Sequence, residues 1–190
     1  MSYAEIIQSR EWIPTKIYNL LIVISASLLL SVSAQFTFQL PFTPVPITAQ
    51  TLAVFLIAAL LGKKRGTAAV GLYLAQGAAG LPVFAGGRAG VPVLLGPTGG
   101  YLLGFLAAAY LIGGLVERGW DQTFVSSALS LTLGNSLIYL FGLTWLGLSL
   151  NLRDALFAGL YPFLIGDLLK ILIASGLLAA SGFFKPRLLN

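Results

Sequence analysis

Residues 17–34 read IYNLLIVISASLLLSVSA, eighteen consecutive positions without a charged side chain. As an α-helix rising about 1.5 Å per residue, this run is roughly 27 Å long, close to the ~30 Å hydrocarbon core of a bilayer. In such a medium every backbone N–H and C=O must be satisfied within the segment itself, which an uninterrupted helix does. Five more apolar runs follow, giving an all-α integral membrane protein with six transmembrane helices at about 17–34, 47–61, 67–81, 98–116, 123–145 and 155–184. Composition agrees: 57% of residues are hydrophobic and 9% charged, with a mean hydropathy of +0.92, against about 25% charged in soluble domains. Residues 1–190 are read as a single transmembrane domain.

The charges orient these spans. Arg10, Lys16, Lys63, Lys64, Arg65, Arg118, Lys185 and Arg187 fall on the side of the termini, and only Arg88 and Arg153 fall opposite. By the positive-inside tendency both termini are cytoplasmic, and loops 35–46, 82–97 and 146–154 face out. Lys16, the apolar stretch and VSAQ also resemble a signal peptide cleaved after Ala34. Cleavage would leave five spans and spoil the charge asymmetry, so the run is read as a retained helix. The expected location is a bacterial cytoplasmic (inner) membrane, as a multi-pass protein.

Several functions are excluded by what is missing. The chain has no Cys and no His, which removes thiol catalysis, imidazole metal sites and the Ser-His-Asp arrangement. No catalytic residue, metal or cofactor is expected. The net charge of +5 comes from short clusters at the ends of apolar runs, a topology signal and not a nucleic-acid face.

Two outward connections are unusual. LPVFAGGRAGVPVLLGPTGG, residues 81–100, contains six Gly and three Pro, too many helix breakers for a span and too many apolar residues for a solvated linker. QFTFQLPFTPVPITAQ, residues 35–50, carries three prolines and no charge. Irregular backbone near membrane depth must line a protein-enclosed or water-filled space, so these loops read either as extracellular packing or as a lid over a solute pocket. The second and third spans are short, roughly 22 Å each, which requires tilt, local thinning or shelter by neighbours.

The stretch FLIGDLLKILIA, residues 163–174, places Asp167 and Lys170 inside an oily run. Counted along one continuous helix, Asp167 lies about 20 Å from Asp154 and Lys170 about 22 Å from Lys185, so both are near mid-membrane. A spacing of three puts them on one helix face, where they can meet. Ionised groups at this depth are costly unless paired or functional. The pair is a structural ion pair, a ligand site or a proton-coupling carboxylate. As a ligand site, it accepts from N–H groups through the carboxylate and donates to oxygen through the ammonium, which suits a group such as a cyclic urea.

Gln50, Gln76 and Asn135 either face the same cavity or join helices by hydrogen bonds. Phe36, Phe38, Phe42, Phe84, Tyr101, Tyr139 and Trp145 read as packing or interfacial anchors. Phe84 and Tyr101 stand out among them because they border the glycine-rich loop. Arg88 is that loop's only cation, either an anchor or a partner for an anionic substrate tail.

LPFTPVPITAQTLAV, GLPVFAGG, GPTGGYLLGF and GDLLK, in this order over residues 40–170, together resemble the BioY family, the biotin-specific S components of energy-coupling factor (ECF) transporters. The resemblance implies a six-helix membrane fold, high-affinity capture of biotin from outside, and work with a membrane-embedded T component and two cytoplasmic ATPase subunits. It implies that Asp167 and Lys170 hold the ureido head of biotin, with Phe84, Gly86, Gly87 and Arg88 bordering the pocket. Some relatives carry an asparagine near that loop. None occurs in 81–100, so its contact passes to backbone, Gln76 or Asn135. The family's small-residue docking pattern on the first helix has its nearest counterpart in Ser27 and Ser31. No Walker-type phosphate loop is present, so any ATPase is a separate subunit.

Biotin uptake by the substrate-specific subunit is the leading reading. The alternatives are an S component for another small vitamin, an intramembrane hydrolase using Asp167, or a purely structural membrane subunit. The absence of His and of a second buried carboxylate argues against the hydrolase. The expected partners are biotin, the ECF subunits and the lipid bilayer, with no nucleic acid; a homo-oligomer is left open.

Overall fold

The computed structural model describes the backbone of residues 14–189 and the side chains of residues 14 and 16–180. Arg10 and the side chains of Lys185 and Arg187, all used in the charge count, lie outside this description. The elements are α1 (Thr15–Gln35), β1 (Thr37–Phe38), β2 (Ile47–Thr48), α2 (Gln50–Ala78), α3 (Val91–Leu95), α4 (Gly99–Glu117), α5 (Phe124–Leu146), α6 (Leu152–Gly159) and α7 (Leu164–Leu189), with a 3₁₀ turn at Ala85–Gly87. Among the described residues three helical stretches are long and apolar enough to cross a bilayer, Lys16–Gln35, Gly99–Glu117 and Phe124–Leu146. The pair α6 and α7, bent by 49°, makes a fourth if counted as one span.

Helix α2 is not one rod. Gly62 has φ 77° and ψ −178°, a backbone conformation that only glycine adopts without strain. Beyond it the chain doubles back. Gln50 Nε2 donates to Tyr73 Oη at 2.7 Å, although twenty-three residues of continuous helix would separate them by about 34 Å. A methyl group on Gly66 would stand 3.0 Å from Ala58 Cα. The result is a helical hairpin with limbs 50–61 and 63–78, about 18 and 24 Å long. The second limb begins at Lys63, so the Lys63, Lys64 and Arg65 cluster is helical and not a loop. Lys63 N–H, at the start of that limb, donates to the Glu117 carboxylate at 2.8 Å.

The hairpin packs mainly on α4, which in turn packs on α5. Gly104 is what lets α4 and α5 close up, because a side chain there would meet Ile138 Cα at 2.8 Å. Close approach through small residues is the usual way membrane helices gain van der Waals contact without a hydrophobic driving force. Thr123 and Ser126 form a reciprocal capping box at the start of α5, and Asn151 caps α6 by accepting from Asp154 N–H at 2.9 Å. The core between the helices is built from Val54, Phe55, Val70, Tyr73, Phe84, Ile112 and Leu131, all fully or nearly fully buried.

The final span is interrupted at 160–163. Pro162 has no N–H and cannot donate to the Ala158 carbonyl one turn earlier. Thr43, in the loop between β1 and β2, supplies that hydrogen bond instead, Oγ1 to Ala158 O at 2.6 Å. Phe163 N–H turns to Leu160 O, and the Gly159 carbonyl accepts from Tyr101 Oη at 2.8 Å. Two side chains distant in sequence therefore satisfy the carbonyls that the break frees, as a low-dielectric setting demands. The β1–β2 ladder pairs Thr37 with Thr48 and Phe38 with Ile47. It ends after two residues because the loop between the strands contains three prolines, which have no N–H to pair.

Candidate functional site

The break in the last span determines where the charged pair sits. Asp167 lies in the first turn of α7, and its own N–H donates to Phe163 O at 2.8 Å. The pair therefore stands at a helix start beside a bend, and not in the middle of a continuous helix. The N-terminal end of a helix carries partial positive charge, which favours a carboxylate there.

Lys170 Nζ donates to Asp167 Oδ1 at 2.9 Å. Tyr139, on α5, donates its hydroxyl to the other oxygen, Oδ2, at 2.6 Å. The Asp167 side chain is 8% exposed and that of Lys170 16%. Each carboxylate oxygen thus has one protein donor and keeps acceptor capacity, while the lysine ammonium has further N–H groups to give.

Above this pair lies a cavity whose atom-free space, including its opening to the outside, is about 610 Å³. Its walls come from segments spread over residues 45–170. The β1–β2 loop and the start of α2 contribute Val45, Pro46, Thr48, Gln50 and Thr51; the glycine-rich connection contributes Phe84, Ala85, Arg88 and Val93. Thr98, Tyr101, Leu102 and Phe105 come from the start of α4, Ile138 and Tyr139 from α5, and Phe163 from the break. The lining surface is mainly apolar; its charged groups are Asp167, Lys170 and Arg88, and Thr48, Gln50, Thr51 and Thr98 add neutral polar groups.

The glycine-rich connection is held in place by specific contacts. Phe84 is 1% exposed and meets Tyr73 edge-on at a 5.5 Å centroid distance. Gly90 N–H donates to Gly77 O at 2.8 Å, and Trp145 Nε1 donates to Gly96 O at 3.1 Å. Arg88 Nε donates to Ala85 O at 3.0 Å, and the Arg88 side chain is exposed at the rim.

Of the residues singled out in the sequence, Asp167, Lys170, Phe84, Arg88, Tyr101, Tyr139 and Gln50 come together around this cavity. Gly86 and Gly87 have φ of 68° and 71° and shape the turn behind Ala85 without lining the space. Gln76 points elsewhere, accepting from Ser27 Oγ at 2.7 Å. Asn135 is buried one helical turn before Tyr139 and does not line the cavity. Ser27 and Ser31 are buried; Ser27 faces the second limb of α2 and Ser31 donates to the Ser27 carbonyl.

Tyr139 is the main residue that sequence reading undervalued. It stands twenty-eight positions from Asp167, so no helix spacing links them. Asp121 is also fully buried, a second buried carboxylate where the sequence pattern indicated none. It lies between α4 and α5 and does not line the cavity. Among the described residues no cluster of three or more acidic groups is placed to hold a metal.

Comparisons with known proteins agree with this picture. The sequence is similar to the biotin transporter BioY of Thermotoga maritima, 40% identical over 167 residues that span 87% of this chain and 92% of the relative. The biotin transporter BioY of Rhizobium etli is 38% identical over 72% of this chain and 78% of its own length. The fold is similar to the crystal structure of the S-component for biotin from an ECF-type ABC transporter, with a TM-score of 0.77 and 28% identity over 87% of this chain and 90% of that one. The sequence model of the BioY family matches residues 8–184, and on these grounds the chain belongs to the BioY family.

Proposed function

We propose that this protein binds biotin from the outer side of the cytoplasmic membrane with high affinity and serves as the substrate-binding S component of an ECF transporter. The observation that carries this reading is the buried Asp167–Lys170 pair lining a cavity with a largely apolar wall, in a chain of the BioY family. The ureido ring of biotin presents two N–H donors and one carbonyl. Asp167 accepts from the former, and Lys170 donates to the latter. Phe105, Ile138 and Phe163 supply apolar wall for the sulfur ring and aliphatic chain, and Arg88 at the rim receives the terminal carboxylate.

Phe84 and Tyr101 flank the bound molecule. Gly86 and Gly87 give the loop its path, and Asn135 supports Tyr139 from behind. The Ser27–Gln76 bond holds α1 close to α2, and with Ser31, bonded within α1, contributes to partner docking through the shape of the α1 surface. Loops 35–46 and 82–97 close over the cavity as a lid.

Six passes result if the two limbs of α2 count separately and α6 with α7 as one span, within a single domain of 1–190. Both termini are then cytoplasmic, a reading supported by Lys63, Lys64, Arg65 and Arg118 lying at connections on the opposite side from the lid loops. The energy for uptake comes from a T component and two ATPase subunits, since the chain has no phosphate loop of its own.

Two measurements test this together. Mass spectrometry of small molecules released from the purified protein should find biotin, and calorimetry in detergent should give one tight site per chain. Absence of biotin together with no heat of binding would overturn the proposal.

A further inference from the structure

At the end of the bundle away from the lid loops, the reversal of α2 at Gly62 and the end of α4 create a second recess. It is lined by Lys63, Lys64, Arg65, Asn19 and Glu117, together with Thr67 and Tyr110. Lys63 Nζ lies 3.9 Å from the centre of the Tyr110 ring, and Arg65 Nε donates to Asn19 Oδ1 at 2.8 Å. Lys64 is exposed. The one acid in the lining, Glu117, is already engaged by the Lys63 backbone N–H.

A third depression begins where this one ends. It shares Thr67 and Tyr110 with the cationic recess and runs between α4 and α5 along Leu106, Leu111, Leu137 and Phe141, with almost no polar surface. Tyr110 and Phe141 remain substantially exposed there, at 52% and 42%. The molecule thus presents, side by side in space, a cluster of three cations at the end of its spans and an apolar groove descending along the membrane helices.

We propose that this composite groove is a binding site for one anionic glycerophospholipid, with its phosphate on Lys63, Lys64 and Arg65 and an acyl chain along the α4–α5 groove. A soluble anion would satisfy the cations but leave the apolar groove unoccupied. A zwitterionic lipid would fill the groove but bring its own cation to a positive recess. Only a lipid with net negative charge matches both halves, and basic pockets between membrane helices are a recognised form of headgroup site. Tyr110 joins the halves, with its ring against a lysine at the interface, the usual setting for an amphipathic aromatic side chain.

The test is native mass spectrometry of the full chain titrated from detergent with dioleoylphosphatidylglycerol, dioleoylphosphatidylcholine or inorganic phosphate. The expected result is one retained phosphatidylglycerol, bound at least tenfold more tightly than phosphatidylcholine and not displaced by inorganic phosphate. Lys64→Gln and Arg65→Gln should each weaken retention about fivefold. Ala107→Trp, which fills the groove, should also weaken it while leaving the cations intact. Folding of each variant is checked by its thermal midpoint, and the wild-type comparison of lipids stands even if a variant fails to fold. Equal retention of both lipids, displacement by inorganic phosphate, or capture of a protein subunit instead of lipid by a photoreactive residue placed at Leu106 would each overturn the proposal.

Discussion

The hydroxyl of Tyr139 donates to Asp167 Oδ2 at 2.6 Å, while Lys170 occupies Oδ1 at 2.9 Å. The carboxylate is therefore held from two helices at once, with its plane fixed before any ligand arrives. Preorganisation of this kind lowers the ordering cost of binding.

Asp167→Asn and Lys170→Ala should each weaken biotin binding about ten- to a hundredfold, because a hydrogen bond to a charged group contributes roughly 1.5–3 kcal/mol. Titration calorimetry on both variants checks this. Unchanged affinity in both would remove the pair from the site.

Tyr139→Phe should weaken biotin about five- to tenfold by releasing Asp167 Oδ2. In an Asp167→Asn background the same change should cost little more, since the two residues act as one unit. Full additivity in that double-mutant cycle would mean that Tyr139 acts by packing alone.

Arg88→Gln should weaken biotin roughly fivefold while leaving the affinity for biotin amide unchanged, because only the free acid carries the tail charge and the rim is exposed. Equal losses for both ligands would make Arg88 a loop anchor through its bond to Ala85 O.

Thr43→Val removes the donor that replaces the missing Pro162 N–H at Ala158 O. Leaving that buried carbonyl without a partner should destabilise the protein by about 1–3 kcal/mol, read as a thermal midpoint several degrees lower in detergent. The isosteric side chain keeps the packing, so an unchanged midpoint would show that water takes over the bond.

Gly77→Ala would bring a methyl group into the ring of Phe84. Overpacking of this kind costs typically 1–3 kcal/mol. Because Phe84 anchors the glycine-rich connection, the loss should appear both in the thermal midpoint and in slower or weaker biotin capture.

How much of this was legible beforehand follows from what is local. Membrane residence, helical class and the paired Asp167 and Lys170 were determined by the sequence alone, since hydropathy and a spacing of three on a helix depend only on near neighbours. The hairpin was anticipated as two short helices, 47–61 and 67–81, but its bounds were not. The sequence marked a loop at 62–66, whereas the conformation of Gly62 alone reverses the chain and leaves the cations helical.

Only the tertiary structure decided how the site is completed. Pro162 breaks the last span locally, but nothing near it in sequence says that the bend would set Asp167 in the first turn of α7. Nothing in the spacing joins Tyr139 to Asp167, Thr43 to Ala158 or Tyr101 to Gly159, each pair being separated by twenty-eight residues or more along the chain. Gln76 and Asn135 illustrate the same limit from the other side, for both are polar and mid-span, yet packing turns Gln76 toward Ser27 and sets Asn135 behind Tyr139. Which polar group faces a cavity is fixed by helix rotation and neighbour contacts. These arise from close packing of the whole bundle, which no local pattern encodes.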